Sequence, residues 1–147
     1  MSVVSYQFKK ASRACFPARG LALSRYAGLP QLKVWTRAHG LALRVYRYTA
    51  RFPREERFTL VTQMRRSAGS VPTNIVEGSG RATPADFSRF LAIAASSLHE
   101  LHYQLELAHD LGFGDLSENA AMRHEAAEIR AMLTSLKSRV AKLTTDN

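Results

Sequence analysis

Apolar residues in this chain return every three or four positions along four stretches, the spacing that places side chains on one face of an α-helix. The first stretch predicts helix 1 over about Gln31 to Arg51, with Val34, Ala38, Leu41, Val45, Tyr48 and Phe52 as its inner stripe. Trp35, Ala42 and Tyr46 widen that face until the apolar arc covers roughly 200°, about twice the width one bundle seam requires. Lys33, Arg37, Arg44, Arg47 and Arg51 repeat at the same spacing on the opposite side, broken only by Gly40, and no acid lies among them.

The second stretch predicts helix 2 after Phe52-Pro53, with Glu55 and Glu56 in its first turn, where the helix dipole favours carboxylates. Its stripe is Val61, Met64, Ala68, Val71 and Ile75. Pro72 cannot donate to the carbonyl of Ala68, so the helix either kinks there or restarts with Ser70 as cap; a kinked, continuous helix is the preferred reading. Gly78 and Gly80 then end it, through the left-handed conformation that glycine accepts. Helix 3 has a clear start: Thr83 as N-cap, Pro84 at the first helical position and Asp86 three residues beyond the cap. Phe87, Leu91, Ala94, Leu98, Leu101, Leu105 and Ala108 carry its seam, and the small run Ala92, Ala94, Ala95, Ser96, Ser97 invites close approach of a neighbour. Helix 4 starts near Ser117, with Met122, Ala126, Ile129, Leu133, Leu136, Val140 and Leu143 as its seam. Short connections make sequential helices antiparallel neighbours. The expected fold is all-α, an antiparallel up-down-up-down four-helix bundle over residues 31–147.

Residues 1–30 read differently. They hold Lys9, Lys10, Arg13, Arg19 and Arg25 with no acid, and no helical period is sustained. Such an acid-free leader has the composition of an organellar transit peptide. The preferred reading is a flexible basic arm, or extra residues ahead of the fold. The whole chain of 147 residues carries a formal charge of +9, with 46% apolar and 22% charged residues, so one globular domain with an affinity for polyanions is expected. There is no apolar run long enough to span a bilayer. The single Cys15 forms no intrachain disulfide and sits in no thiolate metal site. A cytoplasmic location is the default.

Several residue groups together resemble a known family. They are Trp35 with Ala38, Phe52-Pro53, Glu55-Glu56-Arg57, Gln63, Arg65-Arg66, Ser70, Pro72, Asn74-Ile75, Glu77-Gly78 and Arg81. Phe90-Leu91-Ala92-Ile93-Ala94, Ser97-Leu98, Glu100-Leu101 and Leu111-Gly112-Phe113 continue the likeness. The pattern is similar to that of the four-helix-bundle proteins encoded by intervening sequences within 23S ribosomal RNA genes, over about Gln31 to Leu143. In architecture it also resembles the accessory proteins of diversity-generating retroelements. The resemblance implies a homopentameric ring, an RNA or DNA partner and no known catalysis. It assigns Ser70, Pro72, Asn74, Glu77, Gly78 and Glu100 to the family motif. Ser67, Gly69 and the Ala95-Ser96 pair depart from the usual pattern.

The residues add their own weight. An over-wide apolar face on helix 1 calls for a neighbouring subunit, with Trp35 and Tyr46 at the contact and a cyclic homo-oligomer as the result. Lys33, Arg37, Arg44, Arg47, Arg51, Arg65, Arg66 and Arg81 are the candidate phosphate ligands, because guanidinium forks pair with phosphate oxygens. Glu77 and Glu100 are read as partners of Arg65, Arg66 or the backbone near Pro72. Catalytic and metal chemistry find little footing. Glu106-Leu107-Ala108-His109 supplies one Glu-x-x-His spacing where a di-iron bundle needs two. Gly78-Ser79-Gly80 follows no strand and is too short for a phosphate loop. Ser96 and Ser97 near His99 lack an orienting acid. No cofactor is expected. The expectation is therefore a non-enzymatic RNA- or DNA-binding protein acting through helices 1 and 2. The alternative is a structural or protein-interaction scaffold with no nucleic-acid role.

Overall fold

The structure is a computed structural model that describes residues 29–145. It is all-α, and no strand occurs among the described residues. Four helices, α1 (Leu29–Thr49), α2 (Leu60–Ser79), α3 (Pro84–Asp110) and α4 (Leu116–Thr145), surround one apolar core. Helices consecutive in the chain pack on each other, and α1 also packs on α4, which closes the circuit. The arm expected over residues 1–30 lies outside the described residues except for Leu29 and Pro30, which open α1 two residues before the expected start.

The four stripes account for nearly the whole core. Every stripe residue of the first three helices is buried, from Val34 through Ala108. In α4 the stripe holds from Met122 to Val140, but Leu143 is exposed, because the last turn of α4 projects past the packed layer.

Of three local expectations, two need correction. The segment after Pro53 is a separate 3₁₀ turn, Arg54–Phe58, and α2 begins only at Leu60. Glu56 is the reason: its carboxylate accepts from the Thr59 hydroxyl and from the Leu60 backbone amide, so it caps α2 from outside rather than sitting in its first turn. Second, α2 runs unbroken through the buried Pro72, as the preferred reading expects, and Ser70 is an interior residue, so the alternative restart with Ser70 as cap does not occur. Thr73 and Asn74 donate back to the carbonyls of Gly69 (2.9 Å) and Ser70 (2.8 Å), next to the bond that the proline deletes. Third, neither Gly78 nor Gly80 is left-handed. Gly80 closes α2 at φ −83°, while Gly78 is buried against α3, where a Cβ would stand 2.7 Å from Phe90 Cβ and 2.8 Å from Phe87 Cδ2. That glycine is present for proximity.

The helix starts are capped by side chains. Thr83 Oγ1 accepts from the Asp86 amide at 3.1 Å, as its sequence predicts. At α4 the cap is Asp115, whose Oδ1 accepts from the Glu118 amide at 2.7 Å and from the Ser117 hydroxyl at 2.8 Å. These bonds hold the Asp115 carboxyl below its ordinary pKa, the Glu118 amide being the main cause. Asp115-x-x-Glu118 has capping-box spacing, a signal the reading from Ser117 passed over.

The α3–α4 turn is pinned to α1. Fully buried Tyr48 donates to the carbonyl of Phe113 at 2.7 Å, and Asn119 donates to Tyr48 Oη at 3.0 Å and to the Leu105 carbonyl at 2.8 Å. Burial raises the Tyr48 pKa, partly offset by the Asn119 bond, so the phenol stays a neutral donor. Gly112 (φ 71°) and Gly114 (φ 74°) supply the left-handed residues that the turn requires.

Candidate nucleic-acid interface and the α2–α3 seam

The family-motif residues lie along the contact between α2 and α3. Ser97 Oγ donates to Ser70 Oγ at 2.9 Å, and Asn74 Nδ2 donates to the same hydroxyl at 3.0 Å. One turn toward the start of α2, Ser67 Oγ donates to Gln104 Oε1 at 2.6 Å, and Gln104 Nε2 donates to Glu100 Oε1 at 3.1 Å. At the other end Gly78 receives Phe87 and Phe90. Ser67, one of the departures from the usual pattern, is thus matched by a buried glutamine partner on α3. Glu100 and Glu77 do not pair with Arg65 or Arg66. Glu100 serves Gln104, and Glu77 takes Arg81 one turn on, which also lies 4.7 Å over the Phe90 ring. Short side chains and a glycine allow close helix approach, and each buried hydroxyl finds an acceptor. The motif works as a packing seam.

The basic stripe divides into two sets. Arg37 Nε and Nη2 grip both oxygens of Glu125 at 2.8 Å, and Nη2 also meets Glu128. Those carboxylates raise the Arg37 pKa well above its usual value, and Arg37 in turn lowers that of Glu128. Arg51 pairs with Glu118. The expectation that no acid opposes this stripe therefore fails at these two residues, because α4 turns its own carboxylates toward α1. Spacing alone does not show this: Arg37 and Arg51 lie fourteen residues apart on α1, whereas their partners Glu125 and Glu118 lie seven apart on α4. Arg44, between the two paired arginines, makes no ion pair with a described residue.

Arg65 is also engaged. It donates from Nε to Thr49 Oγ1 at 2.9 Å and from Nη2 to the Tyr46 carbonyl at 3.3 Å, and it lies 4.9 Å over the Tyr46 ring. Lys33, Arg44, Arg47 and Arg66 make no ion pair with any described residue, and all but the half-buried Arg44 are exposed. Of the expected contact residues, Tyr46 is 49% exposed, whereas Trp35 is half-buried and stacked on His39 with ring centroids 5.1 Å apart. Among the described residues, Leu43 and Val76 are the other exposed large apolar side chains of α1 and α2.

Among the described residues, no three His, Cys, Asp or Glu side chains converge as a metal site, and no helix is long and apolar enough to cross a membrane. The model of the 23S rRNA-intervening sequence protein family matches residues 30–135. The chain belongs to that family. A solved structure from Bacteroides thetaiotaomicron, described as a protein of unknown function from the S23 ribosomal protein family, shares its fold. The two superpose with a TM-score of 0.67 at 24% identity, over 75% of this chain and 99% of that one. No curated protein matches the chain. Residues 30–135 take in α2, α3 and their seam whole, so this intervening-sequence protein carries the motif on the two helices that hold each other most extensively.

Proposed function

We propose that this intervening-sequence protein is a non-enzymatic, cytoplasmic, oligomeric binder of RNA or DNA. The observation that carries the reading is the set of cations on α1 and α2 left without a carboxylate: Lys33, Arg44, Arg47 and Arg66. Arg37, Arg51, Arg65 and Arg81 belong to the fold's own contacts. The helices form an antiparallel up-down-up-down bundle. Contacts that run in opposite order support this, since Ser67, Ser70 and Gly78 meet Gln104, Ser97 and Phe87, while Arg37 and Arg51 meet Glu125 and Glu118. Copies of the bundle assemble into a homopentameric ring, with Tyr46, Trp35, Leu43 and Val76 as the apolar contact surface between α1 and α2.

Light scattering tests the ring: five chains of 16.4 kDa give about 82 kDa, and a monomer would remove the assembly. Fluorescence anisotropy with a structured RNA tests the binding. Four phosphate contacts per subunit predict a log–log salt slope of about −2.8 to −3.6, a loss of about 50- to 150-fold in affinity between 50 and 200 mM salt. The double variant Arg44→Glu/Arg47→Glu is expected to abolish binding while keeping helix content and particle size. Absence of binding by the wild type at low salt would favour the scaffold reading.

A further inference from the structure

We propose that Phe58, with Arg54 and Arg57, forms a stacking site for an unpaired base of single-stranded nucleic acid. This deepens the function proposed above and rests on it. Phe58 is 83% exposed, the most exposed large apolar side chain of the described residues. A phenyl ring left in water forgoes about 1.5–3 kcal/mol of burial. Yet its backbone is firmly held. The 3₁₀ turn is closed by Glu56 N donating to the Pro53 carbonyl at 3.0 Å and Thr59 N donating to the Glu56 carbonyl at 3.2 Å, and the Glu56 side chain fastens it to the start of α2. The ring is displayed on a braced turn.

The charges beside it select the ligand. In a 3₁₀ helix residues three apart eclipse, so Arg54 and Arg57 stand one above the other, and Glu55 shares the column of Phe58. Arg57 lies 5.6 Å from the Phe58 ring centroid, and Arg54 makes no ion pair with a described residue. Of the nearby acids Glu56 is occupied by Thr59 and Leu60, and Glu118 by Arg51. Two arginines therefore face one uncommitted carboxylate, Glu55. A ring 83% exposed, with the Arg57 guanidinium 5.6 Å over it, fits an unpaired base stacked on the side that Arg57 leaves open, with its phosphate in reach of the guanidinium groups. A duplex offers no free base face to such a ring.

The test uses the full chain with a labelled 12-nucleotide single strand and a blunt duplex of equal length. Phe58→Ala is expected to weaken single-strand binding by about 5- to 150-fold, the range of one lost base stack. It should leave duplex affinity and the salt slope unchanged, while Phe58→Trp retains single-strand affinity. Arg54→Ala should instead flatten the single-strand slope by about 0.7. Equal single-strand binding by wild type and Phe58→Ala would overturn the stacking site and leave the broader nucleic-acid reading in place. If the wild type binds neither probe, that broader reading falls first. If Phe58→Ala changes particle size but not single-strand affinity, the ring belongs to a subunit contact and the proposal is overturned.

Discussion

Gly78→Ala is expected to destabilise the fold by about 2 kcal/mol, although alanine is the better helix former by about 1 kcal/mol. Gly78 lies inside α2 and is buried, and the added methyl would meet Phe90 Cβ at 2.7 Å and Phe87 Cδ2 at 2.8 Å. Neither contact can give way cheaply. A Cβ moves only with its backbone, and Phe87 is fully buried. The helices must part, and parting them also stretches the Ser70–Ser97 and Ser67–Gln104 hydrogen bonds. Gly40→Ala is the matched control: Gly40 lies inside α1 and its new methyl would meet nothing within 4 Å, so a gain of about 0.5–1 kcal/mol is expected. Urea unfolding of both variants at one protein concentration, with the wild type alongside, reads the sign directly. A Gly78→Ala protein as stable as the wild type would mean that the α2–α3 seam does not need its closeness.

Gly114→Ala should cost about 2–5 kcal/mol, the larger of the two losses, because strain and overlap add. Its φ of 74° disfavours any residue with a Cβ, and that Cβ would stand 2.6 Å from Tyr48 Cζ and 2.8 Å from its hydroxyl oxygen. Tyr48 cannot swing aside. It is fully buried, packs edge-on against Phe52 with centroids 5.0 Å apart, and holds Phe113 and Asn119 through its hydroxyl. The expected readouts are a large fall in urea midpoint and loss of amide protection at Asn119 and its neighbours in α4. Gly112→Ala has the same backbone strain (φ 71°) and an open site, so it isolates the conformational part alone.

These two glycines show where the sequence is eloquent and where it is mute. Periodicity located all four helices, and buried stripes such as Val34–Tyr48 and Phe87–Ala108 follow from spacing alone, since spacing fixes angular position about one axis. It does not fix which rung of one helix stands opposite which rung of another. For that reason spacing leaves Glu125 and Glu118 unassigned to Arg37 and Arg51, and it makes a helix terminator of Gly78, which is a contact. The 3₁₀ turn escaped for a related reason: its start depends on a side chain, Glu56, reaching back to the helix that follows it. The family motif marks Ser70, Asn74 and Gly78 without a reason; their shared place on the α2–α3 seam supplies it.

The α1–α4 edge is closed differently from the α2–α3 seam, and the difference decides where the molecule breathes. Apart from the buried Tyr48–Asn119 hydrogen bond, its polar ties are carboxylate–guanidinium pairs whose side chains keep between 24% and 56% of their surface in water, so dissolved ions weaken them directly. Molar salt should therefore quicken amide hydrogen exchange first along the rims of α1 and α4, while the protons between α2 and α3 exchange only with global unfolding.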